Sequence, residues 1–289
     1  VTYHLAIAAI FKNETPYLEE WLEYHLLVGF DHFYLYDNDG SNEVRELLAP
    51  YFRAGIVSHH PFTWINGTRH DRPTRFGGRD KNHVAFGHAA RHYRREFDWI
   101  MKIDVDEFLV PIGGDSIADI VDRRDASRAK CIRVPRFNFG DNGHLKKPDG
   151  LVLESYTKRE AESSNHKDLG NSRFLSNNLH TNSAHSWGFR RIRGGVKIRE
   201  QDVADMRVHH YYTKSLEEYL TRQNTMQSRV VSEEGFRERN AGRNDVDDES
   251  MLRFTSEIKH RIAMRRSGAD ASDIDGGEHR LHLLRRGLL

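Results

Sequence analysis

The sequence predicts an α/β protein with a mostly parallel central sheet covered by helices, and three observations predict it. Over the first half of the chain, short apolar runs alternate with helical periodicity, the pattern of strand–helix–strand units. One run, Trp99–Ile103, is compact and apolar apart from Lys102, and suits a central strand buried on both faces. The 289 residues suffice for one large unit with a real core. We divide the chain into a domain at 1–235 and a charged, helical C-terminal extension at 236–289.

His4–Phe11 reads as the first strand. Thr15 follows as a helix cap with Pro16 at the first helical position; Leu18, Trp21, Leu22 and Leu26 make an apolar stripe, and Gly29 ends it. Phe33–Tyr36 is the second strand. Ser41 caps a helix through Tyr51, Gly55–Ser58 resembles a third strand, and Pro61–Gly78 is a loop rich in glycine, proline and polar residues. Asp80–Phe97 reads as a long helix leading into Trp99–Ile103. Ser116–Arg123 is a short helix, and Cys131–Val134 and Leu151–Tyr156 are expected as strands flanking the loop Asn138–His144. Residues 160–206 are polar and weakly periodic. Met206–Tyr212 reads as a strand, Ser215–Arg229 as a helix, and Asp248–Met264 as the one helix of a charged tail.

Lys plus Arg total 44 against 43 Asp plus Glu, a balance that argues against a protein held on nucleic acid by bulk charge. Cys131 is the only cysteine, which excludes an intrachain disulfide and a cysteine-rich zinc site. It fits a reducing compartment, so a cytoplasmic location is expected. No stretch approaches the roughly 18 consecutive apolar residues of a membrane span. Peripheral association with a membrane stays open.

The chemistry gathers at Ile103-Asp104-Val105-Asp106-Glu107-Phe108. In an extended segment alternate side chains share a face, so Asp104 and Asp106 are expected on one side where the strand ends. Two carboxylates so placed repel unless a cation sits between them, and a hard divalent ion, Mg2+ or Mn2+, suits them. Such an ion neutralises charge on a departing diphosphate. The plain alternative is a pair of solvated carboxylates at a strand end.

A second acidic turn, Asp37-Asn38-Asp39-Gly40, closes the second strand. Ligands gather beyond the C-terminal ends of parallel strands, so the two turns can border one crevice. Asp37 then suits a base edge or ribose hydroxyl, or it is simply part of a helix-capping turn. A calcium loop fits poorly, because counting back from Gly40 puts Leu35 at the first ligand position. Lys81 and His88, seven apart on the helix before Asp104, share a face that can meet a diphosphate or only solvent.

Phe11-Lys12-Asn13-Glu14, Leu18-Glu19-Glu20-Trp21-Leu22-Glu23-Tyr24-His25, Gly29-Phe30-Asp31-His32-Phe33 and Asp37-Asn38 resemble the opening of glycosyltransferase family 92 and its bacterial relatives near family 2. Trp99 to Leu109 is similar to that family's metal motif, Asn138 to His144 to its following Phe-Gly-x-x-Gly loop, and His210-Tyr211-Tyr212-Thr213-Lys214-Ser215 to its late His-Tyr-x-x-Lys-Ser element. The resemblance implies a GT-A fold, a divalent metal, a UDP-linked, galactose-like sugar donor, a glycan or lipid-linked acceptor, and an inverting single displacement. It places Lys12, Asn13 and Glu14 along the donor, Asp37 at the base or ribose, and Asp104 and Asp106 at ribose and metal. His210 becomes the third metal ligand or a phosphate contact, or else a buried strand histidine, and adjacent His209 leaves the register open.

Inversion needs a general base, and Asp141 in the glycine-flanked loop is the candidate, set against an ordinary turn aspartate. After His166-Lys167 the family's basic, proline-containing strand gives way to Asp168-Leu169-Gly170-Asn171-Ser172. Two other readings stand beside the transferase. One is a metal-dependent phosphatase or phosphotransferase of the haloacid dehalogenase type, which would place Thr or Val where Phe108 stands. The other is a non-catalytic module that binds nucleotide sugars.

Overall fold

The structure is a computed structural model; it describes residues 2–63, 80–113, 116–123, 129–163, 165–176, 185–190, 197–200, 205–221, 231–269 and 274. Most of the expected loop 61–78, the helix expected through Arg229 beyond Thr221, and the tail after 269 apart from Ile274 lie outside the described residues.

The first half follows the expected order: β1 (Tyr3–Phe11), α1 (Thr15–Leu27), β2 (His32–Asp37), α2 (Asn42–Arg53), β3 (Val57–Pro61), α3 (Asp80–His92) and β4 (Phe97–Lys102). β1 is buried on both faces. Leu5, Ile7, Ala9 and Phe11 meet the apolar stripe of α1, while Ala6, Ala8 and Ile10 join Ala85, Phe86 and Ala89 of α3. Pro16 sits in the first turn of α1, but Thr15 is already helical and Glu14 occupies the cap without a side-chain bond. Ser41 caps α2 as expected, accepting the Val44 N–H at 3.2 Å. Helix α3 stops short of Phe97, because the sheet claims that residue opposite Tyr3.

The second half holds β5 (Glu107–Pro111), α4 (Ile117–Arg123), β6 (Ala129–Asn138), α5 (Val152–Ser155), β7 (Lys158–Arg159), β8 (Asn165–Asn171), β9 (Lys197–Glu200), β10 (Met206–His210), α6 (Leu216–Thr221), α7 (Glu233–Asn240), β11 (Val246–Asp247) and α8 (Leu252–Arg266). Leu151–Tyr156 is a helical turn and not a strand. Buried Glu20 of α1 accepts the Val152 and Leu153 N–H groups at 2.9 Å each, capping the turn from a distant element.

The sheet is mixed, which corrects the expectation of a mostly parallel one. Its nine strands run β3-β2-β1-β4-β8-β6-β10-β5, with β9 beside β6. β3, β2, β1 and β4 are parallel, but β8 enters antiparallel between β4 and β6, and β5 is antiparallel to β10. β8 comes from the weakly periodic region. Its polar Lys167 and Asp168 are buried in ion pairs, which erases the apolar signature of a central strand.

β4 and β5 stand four places apart in the sheet, yet only residues 103–106 join them. The sheet must therefore curl so that this short turn spans its far half. Helix α8 packs on α1, where Arg261 and Arg265 meet the fully buried Glu23 carboxylate at 3.1 and 2.5 Å. Ile258 and Met251 enter the same core as α1. Among the described residues no helix is long and apolar enough to cross a membrane.

Candidate functional site

Because β1 to β4 run parallel, their C-terminal ends share one edge of the sheet. Phe11 lies opposite Asp37, Asp37 opposite Pro61, and Ala8 opposite Lys102. Lys12–Glu14, Asp37 and residues 103–106 therefore leave the sheet on the side where ligands collect in open α/β sheets. Residues 103–106 are not the extended segment expected. The Glu107 N–H donates to the Asp104 carbonyl at 3.0 Å, and the Glu107 carboxylate accepts the Asp104 N–H at 3.0 Å. A closed turn, and not strand alternation, orients the two aspartates.

Register then gathers partners from three other strands. β10 lies between β5 and β6, with His210 opposite Glu107 on one side and Asn138 on the other. Lys167 Nζ from β8 lies 2.6 Å from Glu107 Oε2 and 3.3 Å from Asp104 Oδ2, and Arg136 Nη1 lies 3.0 Å from Glu107 Oε1. Burial pushes the Glu107 carboxyl up, but Lys167, His210 and Arg136 outweigh it and hold its pKa at about 2. Asp104 is pushed the other way, by desolvation and by Glu107 and Asp106, against the pull of Lys167.

Asp106 Oδ1 lies 3.6 Å from His210 Nε2, and His210 Nδ1 lies 2.7 Å from Asn138 Oδ1. An amide oxygen only accepts, so Nδ1 carries the proton and Nε2 turns its lone pair toward Asp106. Burial, helped by Arg136 and Lys167 and opposed by Asp106 and Glu107, lowers this imidazole to about 3. His209 points elsewhere: its Nε2 accepts from Arg207 Nε at 2.9 Å and lies 3.7 Å from Asp248. The alternation of β10 thus puts His210, and not its neighbour, at the aspartates.

The remaining candidates divide. Glu14 Oε2 lies 3.7 Å from Lys214 Nζ, which stands 3.5 Å over the Tyr17 ring, so the end of β1 meets the late His210–Ser215 segment. Asn13, Asn142 and Lys214 are the non-glycine residues with positive φ among the described residues, at 58°, 50° and 51°. All three lie in segments named by the family resemblance, where backbone strain needs tertiary support. Asp37 is fully buried: Oδ1 accepts the Asp39 and Gly40 N–H groups at 2.8 Å each, and Oδ2 lies 2.9 Å from His59 Nε2. Neighbouring Asn38 is buried too, and neither of its amide atoms has a hydrogen-bond partner among the described residues.

Lys81 is buried, whereas His88 bonds the Tyr36 hydroxyl at 2.9 Å and packs with His60, His92 and Tyr93 in an aromatic cluster. Asp141 Oδ1 accepts from Gly143 N–H at 3.1 Å, Asn240 Nδ2 at 2.8 Å and Asn244 Nδ2 at 2.9 Å. This clasp ties the 139–144 loop to the end of α7 and the segment after it. It explains Gly140 as well, since a Cβ there would lie 2.3 Å from Asn244 Oδ1 and 2.6 Å from the Arg243 carbonyl. Among the described residues, no group of three or more His, Cys, Asp or Glu side chains is arranged to hold a metal.

The sequence model of glycosyltransferase family 92 matches residues 3–254, most of the chain. The chain belongs to glycosyltransferase family 92. Family 92 proteins of Oryza sativa subsp. japonica and Ricinus communis are each 24% identical to it, over 211 and 212 residues, covering 72% of this chain and 33% and 35% of the relatives. A family 92 protein of Arabidopsis thaliana is 25% identical over 223 residues, 73% of this chain and 35% of its own. The chain thus spans about a third of the length of these curated relatives.

Within this family 92 chain, the four motif segments converge in space: the turn after β1 meets the late segment through Glu14 and Lys214, the Asp104–Glu107 turn meets it through His210, and the 138–144 segment meets it through Asn138 and His210. Arg136 and Glu160 were missed from the sequence, and Lys167, Glu107 and Asn138 were quoted there without roles. Glu107 carried a readable signal, an acid directly after the aspartate pair. Lys167, Arg136 and Glu160 carried none, because their partners are 29 or more residues away for the first two and 22 for the third.

Proposed function

We propose that this chain is the catalytic unit of a GT-A-type glycosyltransferase that moves a sugar from a nucleotide donor to a hydroxyl of a glycan or lipid-linked acceptor, with inversion. The donor we propose is UDP-linked and galactose-like. One observation carries the reading: a neutral imidazole lone pair and a carboxylate oxygen face each other at 3.6 Å, beside a second carboxylate, on the ligand-collecting edge of the sheet. Two acceptors so placed suit a divalent cation between them, and nitrogen with carboxylate oxygen suits Mn2+. Asp106 and His210 would hold such an ion, with Asp104 next to them. When bound, it would supply positive charge to a departing diphosphate.

The chain's own residues do the rest. Glu107, matched by Lys167 and Arg136, fixes the turn, and Asn138 orients His210. The buried amide of Asn38, without a hydrogen-bond partner among the described residues, offers both a donor and an acceptor where a base or ribose would approach, and Lys12–Glu14 leave the same edge. The acceptor hydroxyl must lose a proton as it attacks. Asp141 is the proposed base through Oδ2, the oxygen not committed to the clasp.

Replacing Asp106 by Ala is expected to remove Mn2+-dependent binding of the nucleoside diphosphate, read by calorimetry; unchanged binding in the presence of a chelator would refute the metal. Asp141→Asn is expected to abolish turnover while leaving donor binding within a few-fold. Turnover that persists would leave Asp141 only its role in the loop.

A further inference from the structure

We propose that Glu160 is a positioning residue that sets the tautomer of His210 through the Asn138 amide. The proposal rests on the reading of His210 as a ligand, and it concerns what makes Nε2 available. Asn138 Nδ2 lies 2.9 and 3.0 Å from the two Glu160 oxygens, and Glu160 Oε1 also accepts the Asn138 backbone N–H at 2.8 Å. A carboxylate has only acceptors to offer, so the amide must turn its NH2 toward Glu160 and its oxygen away. That oxygen is the one 2.7 Å from His210 Nδ1. It cannot donate, so Nδ1 must, and the lone pair is left on Nε2, which faces Asp106 at 3.6 Å. Each link forces the next.

The backbone leaves the relay little freedom. Glu160 N–H donates to the Asn138 carbonyl at 2.9 Å, Phe139 N–H donates to the His210 carbonyl at 2.9 Å, and Asn138 and His210 are partners in the β6–β10 register. With the amide reversed, its oxygen would face two carboxylate oxygens with no proton between them, a buried mismatch far costlier than the arrangement seen. Partners that orient a ligating histidine tune it as strongly as many direct contacts.

The decisive measurement is the 15N spectrum of histidine-labelled, metal-free full chain. In the unaltered protein, His210 is expected to carry its proton on Nδ1, with the pyridine-type resonance on Nε2. Glu160→Gln is isosteric, but its new amide can accept the Asn138 N–H and donate to Asn138 Oδ1. Asn138 then offers its NH2 to His210 Nδ1, so the pyridine-type resonance should move to Nδ1 and Mn2+ affinity should fall about 10- to 100-fold. Combining Glu160→Gln with Asn138→Asp conserves net charge and reverses the relay's polarity; both the tautomer and the affinity should return.

A proton found on Nε2 in the unaltered protein overturns the proposal, whatever the variants do. So does folded Glu160→Gln protein that retains the Nδ1 proton. The readout needs no metal, which separates this claim from the one beneath it. If the tautomer follows Glu160 as stated while Mn2+ leaves the unaltered His210 signals unbroadened, the positioning role stands and the metal reading falls.

Discussion

Two acidic turns leave the same edge of this sheet, and they are satisfied in opposite ways. The Asp37 turn is closed from nearby: two backbone N–H groups within three residues and His59 on the next strand take up a fully buried carboxylate. The Asp104–Glu107 turn closes its backbone on itself, but its carboxylate charges are balanced from afar, by Lys167, Arg136 and His210 arriving on β8, β6 and β10. Asp104 remains 41% exposed, and Asp106 faces a neutral ring. A turn that satisfies itself is a structural joint. One whose charges are balanced by long side chains and an imidazole lone pair can exchange those partners for a ligand, which is what a binding site requires.

The comparison is sharpest where the balancing cation is removed. Lys167→Ala leaves buried Glu107 short of a partner and removes the cation that lies 3.3 Å from Asp104, so a loss of about 3–5 kcal/mol in unfolding free energy is expected by denaturant titration. A loss below about 1 kcal/mol would show that the charges of this turn do not depend on the distant cation. Asp37→Ala removes acceptors from two backbone N–H groups and a ring, with an expected loss of about 1–3 kcal/mol and a native far-ultraviolet spectrum.

The smallest expected effect is in pH. Burial raises the Asp37 carboxyl, but its bonds from His59, Gly40 and Asp39 outweigh that and hold it below its ordinary 3.8. The unfolded chain then binds more protons as pH falls, so this contribution is present above about pH 5 and fades below it as acid titrates the folded carboxyl. Asp37→Asn should flatten that part of the melting-temperature profile, whereas an unchanged slope would deny Asp37 its charge-dependent role.

How much of this was legible follows the same division. The strand–helix order through β4, the Ser41 cap and the presence of Asp104, Asp106 and His210 in ordered motifs were readable, because each is a local pattern of period, cap or spacing. β8 was hidden because Lys167 and Asp168 break its apolar run, and their pairing with Glu107 and Arg133 is not local. α5 was read as a strand because its cap, Glu20, lies more than a hundred residues earlier.

By itself, then, the sequence determined that helices alternate with parallel strands and that carboxylates end them on one edge, since periodicity and capping act over a few residues. Only the tertiary structure decided that the sheet is mixed and curled, that residues 103–106 form a turn, and that His210 rather than His209 faces Asp106. Those outcomes depend on strand register and on ion pairs between distant segments. Their energies appear only when the chain has already brought the partners together.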